Sequence, residues 1–240
     1  MDVALSVIPD DRWAASVAGH FAATIGRGAR LCLATGATTA PLYAEIAAMS
    51  DLAGITIFLL DEFGGLPAGD AGRCAAMLRR DLLDRARGHP AVHVPDVDAA
   101  DPAGAAARYA DRIADGGIDL AIVGLGRNGH VGMNEPGSNP AATTRVVTLD
   151  RSTSEGAIAY GASTKPTWGI TVGIAELLEA RTLWLVVTGA HKREILHRFL
   201  SDDAGPHLPA TLVRHHPGLA VYVDESANGS KSPDSGSRTD

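Results

Sequence analysis

Short runs of consecutive apolar residues alternate along this chain with stretches whose apolar positions recur every three or four residues. "ARLCLATG" predicts a buried strand ending in a glycine turn, and "TTAPLYAEIAAMS" the helix that follows it. "ITIFLLDE" predicts a second strand, and "AGRCAAMLRRDLLDRA" an amphipathic helix. "GIDLAIVGLG", "RTLWLVVTG" and "LAVYVDE" predict three more strands, with "TRVVTLD" a further and less central one. Helices are predicted over "DPAGAAARYADRIADGG" and "GAHKREILHRFLS". Strands apolar on both faces, separated by helices of about ten to fifteen residues, imply right-handed βαβ units and a parallel sheet. No internal repeat or linker divides the chain, so residues 1–225 are expected to form a single domain. The small, polar, Pro/Gly/Ser-rich residues 226–240 read as a disordered tail.

Open α/β sheets bind ligands beyond the carboxyl ends of their strands. Applied here, that rule selects Thr35-Gly36-Ala37-Thr38-Thr39, Asp61-Glu62, Gly124 to Glu135, and Gly189 to Lys192. These separate segments are expected to converge on one edge.

Each segment admits a chemical reading and a structural one. "LATGATTAP" places small residues and hydroxyls ahead of a helix N-terminus, which suits a phosphate. A tight turn with Thr38 or Thr39 as N-cap would look the same. Asp61-Glu62 follows four apolar residues. A partly desolvated carboxylate there could take a proton from carbon, but a helix-capping or solvated pair is the simpler account of the dipeptide alone. In "GRNGHVGMNEP" the glycines around His130 leave little cover, so the imidazole is expected to face a cleft and shuttle a proton. Glu135 and Asn128 could orient it. Lys192 opens a helix after a strand, which is unfavourable without an anion nearby, though a surface lysine reads the same way.

Composition narrows the class. The 240 residues are 45% hydrophobic and 20% charged, ordinary for a globular protein. A formal charge of −7 with no basic block, and only 5% aromatic residues, argue against nucleic acid as a partner. Cys32 and Cys74 suggest neither a disulfide framework nor a zinc site, and the motif spacings of metal ligands are missing. No membrane span or signal peptide is apparent, which makes cytoplasmic the expected location.

"LATGATTAPLY", "DEFGGLP", "GLGRNGHVGMNEPGS", "GITVGI" and "VTGAHKREIL" occur in the order and spacing of the glucosamine-6-phosphate deaminase family, which this chain resembles from about residue 10 to 225. Related 6-phosphogluconolactonases usually carry an arginine where Phe63 stands and "GHTASLFP" where this chain has "GHVGMNEP". The resemblance implies a modified Rossmann-like three-layer α/β fold, its mostly parallel central sheet flanked by helices. It further implies that a 2-amino-2-deoxyhexose 6-phosphate and water become a ketose 6-phosphate and ammonia, with no cofactor and no metal. Asp61 would move the C2 proton towards C1. His130 would open the sugar ring, assisted by Asn128 and Glu135. Thr35, Gly36, Ala37, Thr38, Thr39, Glu62, Gly126 and Lys192 would contact substrate or its phosphate. Some family members are hexamers; a monomer or small homo-oligomer is expected here.

The pattern also shows departures. The usual "TGGTP" reads "TGATT", with Ala37 in place of a glycine. A family arginine that clamps the phosphate falls on Ala159, "SRT" on Ala142-Thr143-Thr144, and "SY" on Arg73-Cys74. A lost arginine–phosphate contact costs about 1.5–3 kcal/mol. Either Arg145, Lys165 or Arg73 substitutes, or the substrate is a different amino sugar or sugar phosphate. A lactonase-like hydrolase and a non-catalytic sugar-phosphate sensor are the competing readings.

Overall fold

The computed structural model describes residues 3–229. The chain opens with β1 (Leu5–Ile8), α1 (Trp13–Thr24), β2 (Arg30–Leu33), α2 (Thr39–Met49), β3 (Thr56–Leu59), β4 (Asp61–Phe63) and α3 (Cys74–Leu78). It continues through β5 (Ala91–His93), α4 (Pro102–Ala114), β6 (Leu120–Gly124), β7 (Arg145–Thr148), α5 (Arg151–Ala159) and β8 (Trp168–Thr171). The last elements are α6 (Ile174–Glu179), β9 (Thr182–Val187), α7 (Arg193–Ser201), β10 (Leu219–Asp224) and α8 (Glu225–Asn228).

The main sheet has seven strands in the order β1-β10-β9-β6-β2-β3-β5. Every neighbouring pair in it is parallel. Burial on both faces explains the apolar runs: β2, β3 and β6 carry almost unbroken buried residues. One core, with Trp13, Phe21, Leu42, Tyr43 and Trp184, fills the face covered by α1 and α2. A second, with Tyr109, Leu177, Phe199 and Leu185, fills the face covered by α4, α6 and α7. The three-layer α/β expectation therefore holds.

The strand order reverses at β2: β3 and β5 extend the sheet to one side, whereas β6, β9 and β10 extend it to the other. This switch point separates the loops that follow β2 and β6 and leaves a crevice between them.

Sequence periodicity misjudged several elements. "ITIFLLDE" is two strands rather than one: after Leu59 the chain leaves the parallel sheet, and Asp61–Phe63 pairs antiparallel with β8. With β7 this makes a second, three-stranded sheet, in which β7 lies at an edge as its short apolar run suggested. Leu60 joins the two sheets through hydrogen bonds to Leu33 and Val172. β1, β5 and β8 were not among the strands expected; β1 and β5 are the two edges of the main sheet and are largely unburied. The helix expected over "AGRCAAMLRRDLLDRA" begins at Cys74 and widens into a π-helical turn over Arg79–Leu83. Residues Glu225–Asn228 are not part of a tail: Asp224 accepts a hydrogen bond from Ala227 N and starts α8 there. The remainder of the expected disordered tail, residues 230–240, lies outside the described residues. Among the described residues no helix is long and apolar enough to cross a membrane.

Candidate active site

The loop after β6 is shaped around one imidazole. Gly126 N donates to His130 O, and Gly129, at φ +86°, turns the chain between them. A Cβ on Gly126 would fall 2.2–2.5 Å from three atoms of the His130 ring, so glycine is what lets the ring lie there. Asn128 accepts a hydrogen bond from His130 N at 3.1 Å and donates Nδ2 to Glu135 Oε2 at 2.8 Å. His130 Nδ1 lies 3.2 Å from Glu135 Oε2 and 3.2 Å from Thr153 Oγ1. A carboxylate facing Nδ1 keeps a proton on that nitrogen, leaving the Nε2 lone pair for chemistry. Burial alone would raise the Glu135 carboxyl. Hydrogen bonds from His130, Thr153 and Asn128 outweigh it and hold the group below the usual carboxylate range.

Asp61 and Glu62 are neighbours with different fates. Successive strand residues point to opposite faces. The Asp61 carboxyl is buried, 8% exposed, and desolvation pushes it up to about 7. A hydrogen bond from the Cys74 thiol opposes that rise, the Glu62 charge adds to it, and the His130 imidazole draws it down. Glu62 turns the other way. It accepts from Phe63 N, Cys74 N and Ala75 N at 2.8–2.9 Å, so it caps α3 instead of meeting substrate. Glu62→Ala is expected to lower the unfolding free energy by about 1–3 kcal/mol in a urea titration, because three buried N–H groups lose their acceptor.

The anion loop is simpler than expected. Thr39 is buried and its hydroxyl returns to Gly36 O; the Thr35 hydroxyl is buried beside the Cys74 thiol without a well-directed partner. Neither hydroxyl is presented to a ligand. Thr38 Oγ1 accepts from Thr188 Oγ1 at 3.1 Å, and α2 starts without a side-chain cap. The backbone N–H groups of Gly36, Ala37 and Thr38 thus remain for an anion at the N-terminus of an eleven-residue helix.

Lys192 ends the 3-10 turn between β9 and α7 and donates Nζ to Leu125 O at 2.5 Å. Burial, together with the charge of Arg127, pulls its ammonium down to about 8. Arg127 is exposed and forms no ion pair among the described residues, and His191 stands in the same positive field. Arg127 is the nearby cation that sequence reasoning passed over. The three substitutes it offered are engaged elsewhere. Arg73 forks onto Asp98 at 2.7 and 2.8 Å, Lys165 pairs with Glu155, and Arg145 holds Asn134 and Ser138. A cavity of about 330 Å³ lined by Arg145, Ser138 and Thr148 reaches Glu135 but includes neither Asp61 nor Lys192. Among the described residues no group of three or more His, Cys, Asp or Glu side chains could hold a metal ion.

Fold and site together define an α/β enzyme with a buried carboxyl and an oriented imidazole at the sheet's switch point. Its residues 11–222 match the model of the glucosamine-6-phosphate isomerases/6-phosphogluconolactonase family, and the chain belongs to that family. The glucosamine-6-phosphate deaminase of Beutenbergia cavernae is 36% identical over 237 residues, covering 92% of this chain and 90% of the relative. That of Pseudarthrobacter chlorophenolicus is 38% identical over 205 residues, 82% of this chain and 79% of the relative. A solved monomeric glucosamine-6-phosphate deaminase superposes with a TM-score of 0.89 at 26% identity, covering 96% of this chain and all of its own. The 6-phosphogluconolactonase of Thermotoga maritima shares the fold, with a TM-score of 0.74 at 20% identity over 92% of this chain and 98% of that one.

Proposed function

We propose that this chain is an amino-sugar phosphate deaminase. It converts a 2-amino-2-deoxyhexose 6-phosphate of the glucosamine 6-phosphate type, with water, to the ketose 6-phosphate and ammonia. The observation that carries this reading is the pairing of a buried carboxyl titrating near neutrality, Asp61, with an imidazole whose Nε2 is left free, His130. His130 Nε2 takes the proton of the anomeric hydroxyl and delivers it to the ring oxygen as the pyranose opens, with Glu135 and Asn128 holding the imidazole's orientation. The Asp61 carboxylate then takes the C2 proton of the open-chain 2-amino aldehyde, giving a C1–C2 enolamine, and returns it at C1, which leaves a C2 imine. Hydrolysis of the C2–N bond releases ammonia and leaves the carbonyl at C2. The N–H groups of the Gly36–Thr38 loop and the Lys192 ammonium bind the phosphate. A cytoplasmic enzyme acting as a monomer or small homo-oligomer fits this role.

Ammonia release from glucosamine 6-phosphate is the test, run beside 6-phosphogluconolactone hydrolysis. Lactone opening without ammonia would replace the deaminase reading. The pH dependence should be bell-shaped. Asp61 works as a base only when ionised, so kcat/KM rises with pH through about 7. Lys192 binds phosphate only when protonated, so kcat/KM falls above about 8 in the free enzyme. Lys192→Met should lose the alkaline limb and keep the acid one; an unchanged alkaline limb would remove Lys192 from phosphate binding.

A further inference from the structure

Helix α5 lies across the site as a strap. Only Ala157 on it is buried, and Ile158 is largely exposed, so apolar burial is not what places this helix. Its polar contacts are informative instead. Near its start, the Thr153 hydroxyl lies 3.2 Å from His130 Nδ1. At its end, Tyr160 extends over the anion loop, where a Cβ built on Gly36 would lie 3.6 Å from the Tyr160 hydroxyl oxygen. Positions seven apart share a helix face, and they are separated by about 10 Å along the axis. The strap therefore spans from the imidazole that handles the ring oxygen to the loop that faces the phosphate, the two ends of a hexose 6-phosphate.

The Tyr160 phenol makes no hydrogen bond with protein among the described residues, and the ring is 38% exposed. A phenol at a cleft edge with no protein partner is a donor waiting for an acceptor. Close to it are the N–H groups of Gly36 to Thr38. Lys192, Arg127 and His191 supply positive field, and the Asp224 carboxylate beside His191 is occupied by Gly189 N at 2.8 and 3.0 Å. The surroundings favour an anionic acceptor.

We propose that the Tyr160 hydroxyl is a direct ligand of the substrate's 6-phosphate, closing the anion subsite from α5 opposite the Gly36–Thr38 loop. This rests on the sugar-phosphate reading above. Tyr160 supplies a hydrogen bond without charge, so it acts on binding of the phosphorylated end and not on the proton transfers. It also ties phosphate recognition to the helix that carries Thr153 against the catalytic imidazole.

The test compares wild type with Tyr160→Phe. In steady-state kinetics with glucosamine 6-phosphate, KM should rise about tenfold with kcat unchanged, the loss of one hydrogen bond to a charged group. Calorimetry with inorganic phosphate should show Kd weakened by a similar factor. Unphosphorylated glucosamine, assayed at high concentration, should be turned over equally by both proteins. An unchanged KM and phosphate Kd in Tyr160→Phe overturns the proposal, as does a fall in kcat at constant KM. Calorimetry needs no turnover: absence of ammonia release would sink the deaminase reading, while the phosphate Kd would still decide Tyr160.

Discussion

Asp61→Asn should abolish turnover and stabilise the protein at once. The amide cannot accept the C2 proton, and a positioned general base contributes roughly 10²–10⁴-fold, so kcat with glucosamine 6-phosphate should fall by that factor with KM little changed. The stability effect follows from linkage. Asp61 titrates near 3.8 when unfolded and near 7 in the native protein, because burial disfavours its charge. Between those values the unfolded chain has shed the proton and the native state has kept it, so ionisation favours unfolding. The stabilisation is complete below the unfolded value and is lost as pH rises through about 7. The amide that replaces the carboxyl does not ionise. At pH 8 the variant should therefore be more stable by about 4 kcal/mol, roughly 8–16 °C in Tm, and near pH 4 the advantage should vanish. Thermal melts of both proteins at the two pH values are decisive. Equal melting temperatures at pH 8 would mean that the carboxyl is not held at a cost.

The second large effect is expected from a single methyl group at Gly126. Its φ lies outside the left-handed region, so alanine meets no backbone penalty there. The whole consequence comes from the imidazole, whose Cδ2, Nε2 and Cγ would lie 2.2, 2.4 and 2.5 Å from the new Cβ. A planar ring cannot yield by a bond rotation at its far end, so it must leave. That breaks its approach to Glu135 and Thr153. Gly126→Ala should lose on the order of 10²-fold or more in kcat, the worth of a positioned acid–base group. Gly124→Ala is the matched control, since a Cβ there meets nothing within 4 Å, and it should keep activity. NMR of the His130 ring reads the displacement directly. Full activity in Gly126→Ala would show that the imidazole is not needed where it lies.

Much of the site was legible because it is written in strand-end loops. In a parallel α/β sheet those loops meet at one edge whatever the details of packing, and the carboxyl ends of β2, β6 and β9 delivered the Gly36 loop, His130 and Lys192 there. The Asn128–His130–Glu135 cluster is local to a glycine-rich turn, so its members could find each other within a few residues of chain. Thr153 and Tyr160 carried no such signal. They come from an exposed helix, and Thr153 reaches His130 across 23 residues. Arg127 was visible inside the motif, but only the field it shares with Lys192 gives it a role.

By itself, then, the order of apolar runs and helical stretches determined a parallel α/β layer structure, and the motifs determined the family and pointed to the residues proposed here for proton transfer. Side-chain direction was decided only by tertiary structure. Pairing of β4 with β8 sends Asp61 to the cleft and Glu62 to the N-terminus of α3, a distinction that two adjacent acids cannot express in sequence. The inward turn of the Thr35 and Thr39 hydroxyls was decided in the same way. Periodicity records which residues are buried. What a buried polar group faces depends on strands and helices that are distant in the chain, and here those partners divided a carboxyl left without backbone donors, Asp61, from one that caps a helix, Glu62.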